Sequence, residues 1–385
     1  MSYLGFAAGV VGLHVALSWG LAWRDGRAAA RHQEVKPLPA RPPQLPPVSV
    51  LVPAWRERTT IGRCIASLNQ IAYPAWELIV IAGGPDGTFA AAVEACAARP
   101  NSLVLLQEPR GKNAALNAGL AAASGELIVI LDADSQVQEG WLEALVAALD
   151  GPAGAAFGRP SPLRWTPVSV HEELEHIATW QVQGTLILQG SGSIVVRREL
   201  LVALGGFPEE VRVGVDWDLS ARLAQRGVKL AYAREAIVAT ERPATLGEYW
   251  RNELRWRRAH LSWLLRRREG KRPLRATLIG LYLYGLAWIG LLTGLLALAL
   301  LASGPTALAV ASWWGLLAGW VLLRSSSLAF AVAAYTGQLA WLRLAWVSPL
   351  LLSLTCTAII IASLSLSADQ THFKGPRRRE EPHAS

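Results

Sequence analysis

Two aspartates one residue apart, Asp132-Ala133-Asp134, directly follow the apolar run Leu127-Ile128-Val129-Ile130-Leu131. Carboxylates in that pattern, emerging where a buried strand ends, offer hard oxygen ligands for Mg²⁺ or Mn²⁺ beside a diphosphate. An isolated Asp-x-Asp is common and means little; the strand in front of it gives it weight. Glu172 and His176 stand at helical spacing and would mimic a metal pair. They lie in an acidic stretch with Glu173 and Glu175, which reads as a solvated helix face, so they are assigned no role.

The elements that must present Asp132 and Asp134 are legible around them. Short runs of Val, Ile and Leu at Val48–Val52, Leu78–Ala82, Leu103–Leu106 and Leu127–Leu131 predict strands of a parallel sheet buried on both faces. Between them, Thr59–Asn69, Phe89–Ala98 and Ala114–Ala123 predict helices. This alternation is a doubly wound α/β pattern, in which ligands sit at the carboxyl ends of the strands.

The rest of the chain carries a different signal. Of 385 residues, 52% are hydrophobic and 17% charged, below the quarter usual for a soluble domain. Between Ala276 and Ser367 the only charged side chains are Arg324 and Arg343, and Met1–Trp23 has none. Such distribution predicts an integral membrane protein and excludes a disordered chain, a collagen-like rod and a disulfide-stapled scaffold. The cysteines Cys64, Cys96 and Cys356 are too widely spaced for a metal site and read as reduced.

Tyr3–Trp23 is followed at once by Arg24, Arg27 and Arg31, which predicts a retained anchor with its C-terminal end in the cytoplasm. The late block divides into candidate spans near Thr277–Ala302, Thr306–Leu323, Ser326–Leu342 and Leu344–Leu366. The third is short and carries Tyr335, Thr336 and Gln338; a re-entrant or interfacial helix there would leave three spans. An even number puts both the segment before Arg275 and the tail Lys374–Arg379 in the cytoplasm, so four are favoured. Arg242–Arg275 holds eleven Lys and Arg against three acids, an excess equal to the net charge of the whole chain, +8. Leu246, Trp250, Leu254, Leu261 and Leu265 share a helical face there, which predicts an amphipathic helix on the membrane surface rather than a nucleic-acid site.

The expected organisation is an anchor (1–24), a proline-rich linker (25–47), a cytoplasmic catalytic domain (48–241), a basic interfacial region (242–275), a helical membrane bundle (276–367) and a basic tail (368–385).

Order and spacing of several motifs now resemble family 2 glycosyltransferases of the A-type fold, over about Val48 to Trp256. Val50–Glu57 resembles their opening strand and loop, Gly111–Leu120 their phosphate-side helix, and Asp132-Ala133-Asp134 their metal motif. Gly190-Ser191-Gly192-Ser193 with Gly205-Gly206-Phe207 is similar to the acceptor-side segment, Asp216-Trp217-Asp218 to that of the catalytic base, and Asn252–Trp256 to the Gln-x-x-Arg-Trp motif of membrane-bound members. Those include ceramide-glucosyltransferase-like, hopanoid-associated and polysaccharide-synthase enzymes.

The resemblance implies a nucleotide-diphospho-sugar transferase domain plus transmembrane helices, and inverting transfer from a nucleotide-diphosphate sugar, a UDP-sugar being favoured, to a lipid acceptor. It implies Asp216 as base, metal on Asp132 and Asp134, donor contacts from Pro53, Glu57, Asp86, Lys112, Asp132 and Arg255, and acceptor contacts from Gly190, Ser191, Gly192 and Trp256. Lys112 and Arg255 would offset diphosphate charge. Three departures stand out. Ile81 and Ala82 occupy the place of the family's adjacent acids, so that the usual acidic contact to the nucleotide base is either missing or supplied by Asp86 or Glu57. Gly214-Val215 stands where Thr-Glu is usual, and Asn252 where Gln is usual. The rival readings are a processive polysaccharide synthase and a non-catalytic binding or assembly subunit on a degenerate transferase fold.

Overall fold

The computed structural model describes residues 3–31, 45–150, 152–182, 188, 193–211, 213–265, 326–345 and 347–364. The central element is one eight-stranded sheet: β1 (Val48–Trp55), β2 (Trp76–Gly83), β3 (Ser102–Leu106), β4 (Leu127–Ile130), β5 (Ser135–Val137), β6 (Ala153–Pro162), β7 (Ile194–Arg197) and β8 (Lys229–Thr240), in the order β3-β2-β1-β4-β7-β6-β8-β5. β3, β2, β1 and β4 pair in parallel, as their apolar runs predict. Beyond β4 the sheet is mixed, with β7 antiparallel to both β4 and β6, β6 parallel to β8, and β5 antiparallel to β8.

Burial on both faces holds for β1, β2 and β4 but not for β3. β3 is the sheet edge, where Leu103 and Leu106 are exposed. Pro53 sits inside central strand β1, a place where a missing N–H normally breaks a ladder. Alternate residues bond to opposite neighbours; Leu51 accepts from Leu131, so Pro53 turns toward β4, whose pairing with β1 has already ended at Leu51–Ile130. β2 runs to Gly83, so Ile81 and Ala82 are buried strand interior, and the first residues beyond it are Gly84, Pro85 and Asp86.

Helices cover both faces: α1 (Tyr3–Arg31), α2 (Ile61–Ser67), α3 (Thr88–Cys96), α4 (Lys112–Ala122), α5 (Trp141–Ala147), α6 (Pro167–His176), α7 (Arg198–Ala203), α8 (Val215–Gln225), α9 (Leu246–Leu265), α10 (Ser326–Thr336) and α11 (Val347–Leu364). One core joins Val50, Val52, Leu78 and Val129 to residues of α2 and α5; the other joins Leu51, Ile79, Ile128 and Phe157 to Leu116, Leu219 and Leu223. Each fully buried Leu, Ile or Val side chain contributes about 1.5–3 kcal/mol, so these two layers fix the frame on which the strand ends sit.

The expected amphipathic helix is present as α9, but its buried residues are Tyr249, Glu253 and Ala259, the first two packed on α11, while Leu246 is exposed. The expected solvated face of α6 is instead an interior one. His171, Glu173 and His176 are buried, and Arg159 and Arg242 both pair with Glu173 at 3.0 and 3.1 Å. A capping box, Thr166 with Ser169, starts this helix, and Pro167 occupies its first turn.

α1 continues past Trp23 to Arg31 and packs on α10: Trp19 donates to Ser326 Oγ at 2.7 Å and stacks on Phe330 at 4.7 Å. A Cβ on Gly26 would lie 2.1 Å from the Ala331 carbonyl oxygen, so the two backbones meet there. Ser326–Leu342 is not one helix; α10 stops at Gly337, with φ 72°, and a 3₁₀ helix follows over Leu339–Ala345. Among the described residues no single helix is long and apolar enough to cross a membrane. Leu339–Ala345 with Leu350–Leu364 passes only as a pair bent by 49°. The expected spans Thr277–Ala302 and Thr306–Leu323, most of the proline-rich linker and the basic tail lie outside the described residues.

Candidate active site

Asp132 and Asp134 follow β4 at the carboxyl edge of the parallel strands, where the alternation places a ligand. Asp134 is buried and Asp132 partly exposed, its carboxylate paired with the Lys112 ammonium. Lys112 opens α4 behind Gly111, which adopts φ 101°, so the ammonium and the free N–H groups of a helix start share one side. Glu57 approaches from the β1 loop. Its carboxylate accepts from Thr60 Oγ1 at 2.8 Å, and its carbonyl accepts from the first N–H groups of α2, so it also complements that helix start.

A buried sulfur senses the charge of three of these acids. Burial pushes the Cys64 thiol up first, and Asp134, Asp132 and Glu57 push it further. Cys64 is therefore an inert thiol under the site, its Sγ 3.6 Å from the Asp132 carbonyl. Arg255, on α9, is the opposite reporter. Burial lowers its guanidinium, while Asp134 and Asp132 offset that by favouring the charge. It is held by Asn252 Oδ1 at 2.6 Å and lies 5.2 Å over the Trp256 ring, with Nε buried and unpartnered.

Asp216 lies on a helix that packs against the one carrying Arg255. Gly214, at φ 83°, starts α8, and Asp216 falls in its first turn, buried rather than at the surface. The Trp217 ring packs on Trp256 at 5.5 Å between centroids, so the helix of Asp216 and the helix of Arg255 meet through two indoles. Trp256 is thus a packed platform. Asp86 lies at the β2 end. It accepts from Thr88 Oγ1 at 2.7 Å and from the Arg58 and Thr88 N–H groups, while Thr88 Oγ1 accepts from the Glu57 N–H at 2.7 Å. Burial alone would raise the Asp86 carboxyl; these hydrogen bonds outweigh it and hold it below the ordinary range. Between Glu57 and β1, Arg56 adopts φ 58°, a left-handed conformation uncommon outside glycine and often found in site loops.

The structure thus gathers Glu57, Lys112, Asp132, Asp134 and Arg255, ties Asp216 to them through Trp217 and Trp256, and adds Asp86 beside Glu57. Gly190, Ser191 and Gly192 lie outside the described residues; their neighbour Leu188 donates from its N–H to Ser220 Oγ at 2.8 Å, one turn along α8 from Asp216.

Two residues escaped the sequence reading. Asn117 forms a two-way clamp on the loop before α8, donating to the Phe207 carbonyl and accepting from its N–H, both at 2.8 Å. Asn113 donates to the Pro208 and Val211 carbonyls at 2.6 and 3.0 Å. Gly206, at φ 74°, makes room; a Cβ there would lie 2.6 Å from Asn117 Oδ1.

The family model described as glycosyltransferase like family 2 matches residues 46–259, more than half of the chain and every element of this site. The chain belongs to this family. Glycosyltransferase AglE of Haloferax volcanii is 25% identical over 232 residues, covering 58% of this chain and 76% of that protein. An N-acetylglucosaminyltransferase of Rhizobium meliloti is 30% identical over 261 residues, covering 61% of this chain but only 59% of that protein. The solved mannosyltransferase PcManGT of Pyrobaculum calidifontis, in complex with GDP-Man and Mn²⁺, superposes with a TM-score of 0.59. It is 23% identical, over 90% of this chain and 99% of that one. That likeness shows a shared A-type nucleotide-sugar transferase fold.

Proposed function

We propose that this family 2 glycosyltransferase moves one sugar from a nucleotide-diphosphate sugar to a hydroxyl or phosphate oxygen of a lipid acceptor at the cytoplasmic face of a membrane, with inversion at the anomeric carbon. The observation that carries this reading is the pairing of Lys112 with Asp132 at the strand edge that also bears Asp134, with the Arg255 charge favoured by both acids and the helix of buried Asp216 joined to that of Arg255 through Trp217 and Trp256. Two cations facing two carboxylates suit a diphosphate bridged to the acids, and Lys112 and Arg255 would stabilise the charge on the departing nucleoside diphosphate. Asp216 accepts the proton of the attacking hydroxyl as the new C–O bond forms and the bond to the diphosphate breaks.

Asp132 and Asp134 fit a divalent cation by donor chemistry. Both are hard carboxylates, and no group of three or more His, Cys, Asp or Glu able to hold a metal occurs among the described residues. Mg²⁺ or Mn²⁺ bound by one or two carboxylates and completed by substrate phosphate is the arrangement that such a pair suits, and it would neutralise leaving-group charge. The related proteins carry different sugars in their names, N-acetylglucosamine and mannose, and favour no one donor here.

Membrane attachment is supported by the stretch Ala276–Ser367, charged only at Arg324 and Arg343, and by Leu13, Leu17 and Leu21, exposed at four-residue intervals on α1 while the other side of that helix packs on α10. We place α9, with exposed Leu246 and Arg251, against the cytoplasmic leaflet.

The test is label transfer in isolated membranes from several labelled nucleotide-sugars, with Mg²⁺, Mn²⁺ and EDTA arms and organic–aqueous partition. Metal-dependent label in a small organic-soluble product, reduced about 10²–10⁴-fold by Asp216→Asn, is the expected result. Long water-soluble product would replace the single-addition reading with polymer synthesis. Absence of both transfer and binding for every donor would replace it with a binding subunit.

A further inference from the structure

α9 shows different faces to two neighbours. Arg255 carries a charge that Asp134 and Asp132 favour, whereas Glu253, two residues earlier and about 200° around the helix, is buried against α11. Tyr249 and Arg257, one turn to either side of Glu253, join it: Arg257 donates to Glu253 Oε2 from Nη2 at 2.9 Å and from Nε at 3.1 Å. The same Oε2 accepts from Thr355 Oγ1 at 2.9 Å, and the Tyr249 and Thr355 hydroxyls are 3.0 Å apart. A threonine has one hydroxyl hydrogen. With that hydrogen spent on Glu253, the Tyr249 O–H must donate to Thr355, which makes a directed relay Tyr249→Thr355→Glu253. Burial, then Glu175 and Glu253, push the Tyr249 phenol up, so it remains a neutral donor.

Thr355 is unusual on its own helix. Thr357 and Ser363 return their hydroxyls to carbonyls four residues back, Ser353 and Ile359, and so are satisfied within α11. Ser348 and Thr355 instead reach across, to His171 of α6 at 3.0 Å and to α9. At its other end α9 is fixed by a reciprocal pair, Ala244 N–H to Glu248 at 2.8 Å and Glu248 N–H to Thr245 Oγ1 at 3.2 Å. Arg255 lies about 14 Å along the helix from that pinned start, whereas Glu253, whose bond to Thr355 crosses to α11, is only about 3 Å from Arg255 along the axis. A slip of α9 would leave the Glu253–Arg257 pair intact, since both residues ride on α9, but it would break the Thr355 bonds to Glu253 and Tyr249 and would move Arg255 relative to the two aspartates.

We propose that Thr355 is a positioning residue: through Glu253 and Tyr249 it sets the rotation of α9 and thereby aims Arg255 at the donor diphosphate, making the donor site dependent on the docked C-terminal helix. This rests on the donor role assigned to Arg255. A buried polar contact used to fix register rather than to add stability is the best-attested role for such groups.

The experiment is a double-mutant cycle on the full-length protein in membranes, reading kcat and KM for the nucleotide-sugar together with Tm. Thr355→Val keeps the side-chain volume and deletes both hydrogen bonds; it should lower kcat/KM about tenfold, mostly through KM for the donor. Thr355→Ser should restore activity to within a few-fold. In an Arg255→Ala background, Thr355→Val should cause no further loss, because the residue it aims is gone. Equal losses in both backgrounds, or a lowered Tm with kcat/KM unchanged, would leave Thr355 a packing residue and overturn the proposal. If Arg255→Ala alone left donor kinetics unchanged, the donor-site reading would fall and the aiming role with it, a pattern distinct from an active-site Arg255 that is indifferent to Thr355.

Discussion

The two sides of the site are held by different physics. Asp132, Asp134 and Lys112 stand on the parallel half of the sheet, whose strands are buried apolar runs and whose ends are fixed by backbone ladders. Asp216 and Arg255 stand on helices outside the parallel ladder, fixed by an indole pair, two asparagine clamps and the polar contacts of α9 with α11. Apolar packing makes one side rigid and insensitive to any single polar atom. Directional hydrogen bonds make the other side exact in placement but dependent on a few named groups.

The contrast is broken most severely from the rigid side. Leu51 is fully buried between β2 and β4 and packs with Ile79, Ile128 and Leu116. Leu51→Ala should cost about 2–5 kcal/mol of stability, read as a lowered midpoint of denaturation, while the folded fraction keeps its kcat. A large fall in kcat per folded molecule would show that the parallel half is not the passive frame described here.

That asymmetry also explains what was legible in the amino-acid sequence. β1, β2 and β4 could be read directly because burial on both faces leaves an uninterrupted apolar run, and Asp132 and Asp134 were legible as the acids that end one. β6 could not be read in that way, since Ala153–Pro162 contains Gly154, Gly158, Pro160 and Pro162 and resembles a loop. β8 carries Arg234 and Glu235 in mid-strand. α6 looked solvated because its one fully buried acid, Glu173, is neutralised by Arg159 from β6 and Arg242 from beyond β8, partners far apart in sequence. Asn113 and Asn117 fell within the Gly111–Leu120 resemblance, but their clamping role gave no signal; an asparagine that clamps a distant loop has the same local pattern as one facing water.

On the directional side, Asn117→Ala removes both halves of the clamp on Phe207 without touching a charge. It should lower kcat roughly tenfold, with donor KM nearly unchanged, since Lys112 and Asp132 lie on the frame rather than on the clamped loop. Steady-state kinetics at varied donor and acceptor separate these outcomes. A rise in donor KM of the same size would mean that α4 itself moves and that the two sides are not independently held.

The effect that depends on pH should come from Glu172, at the junction between the two kinds of packing. Burial raises its carboxyl to about 8, with Arg242 lowering it and Glu175 and Glu253 raising it. A carboxyl raised on folding stays neutral in the native state while the unfolded chain ionises. Its contribution is therefore favourable below about pH 4.5, is lost progressively as pH rises toward 8, and is flat beyond. Glu172→Gln, neutral throughout, should accordingly melt close to wild type at pH 5 and a few degrees higher at pH 8. The same gain at both pH values would trace the effect to packing, and a loss at pH 8 would mean that an ionised Glu172 is paired with Arg242 and belongs to the polar scaffold that seats α9 and α11 on the domain.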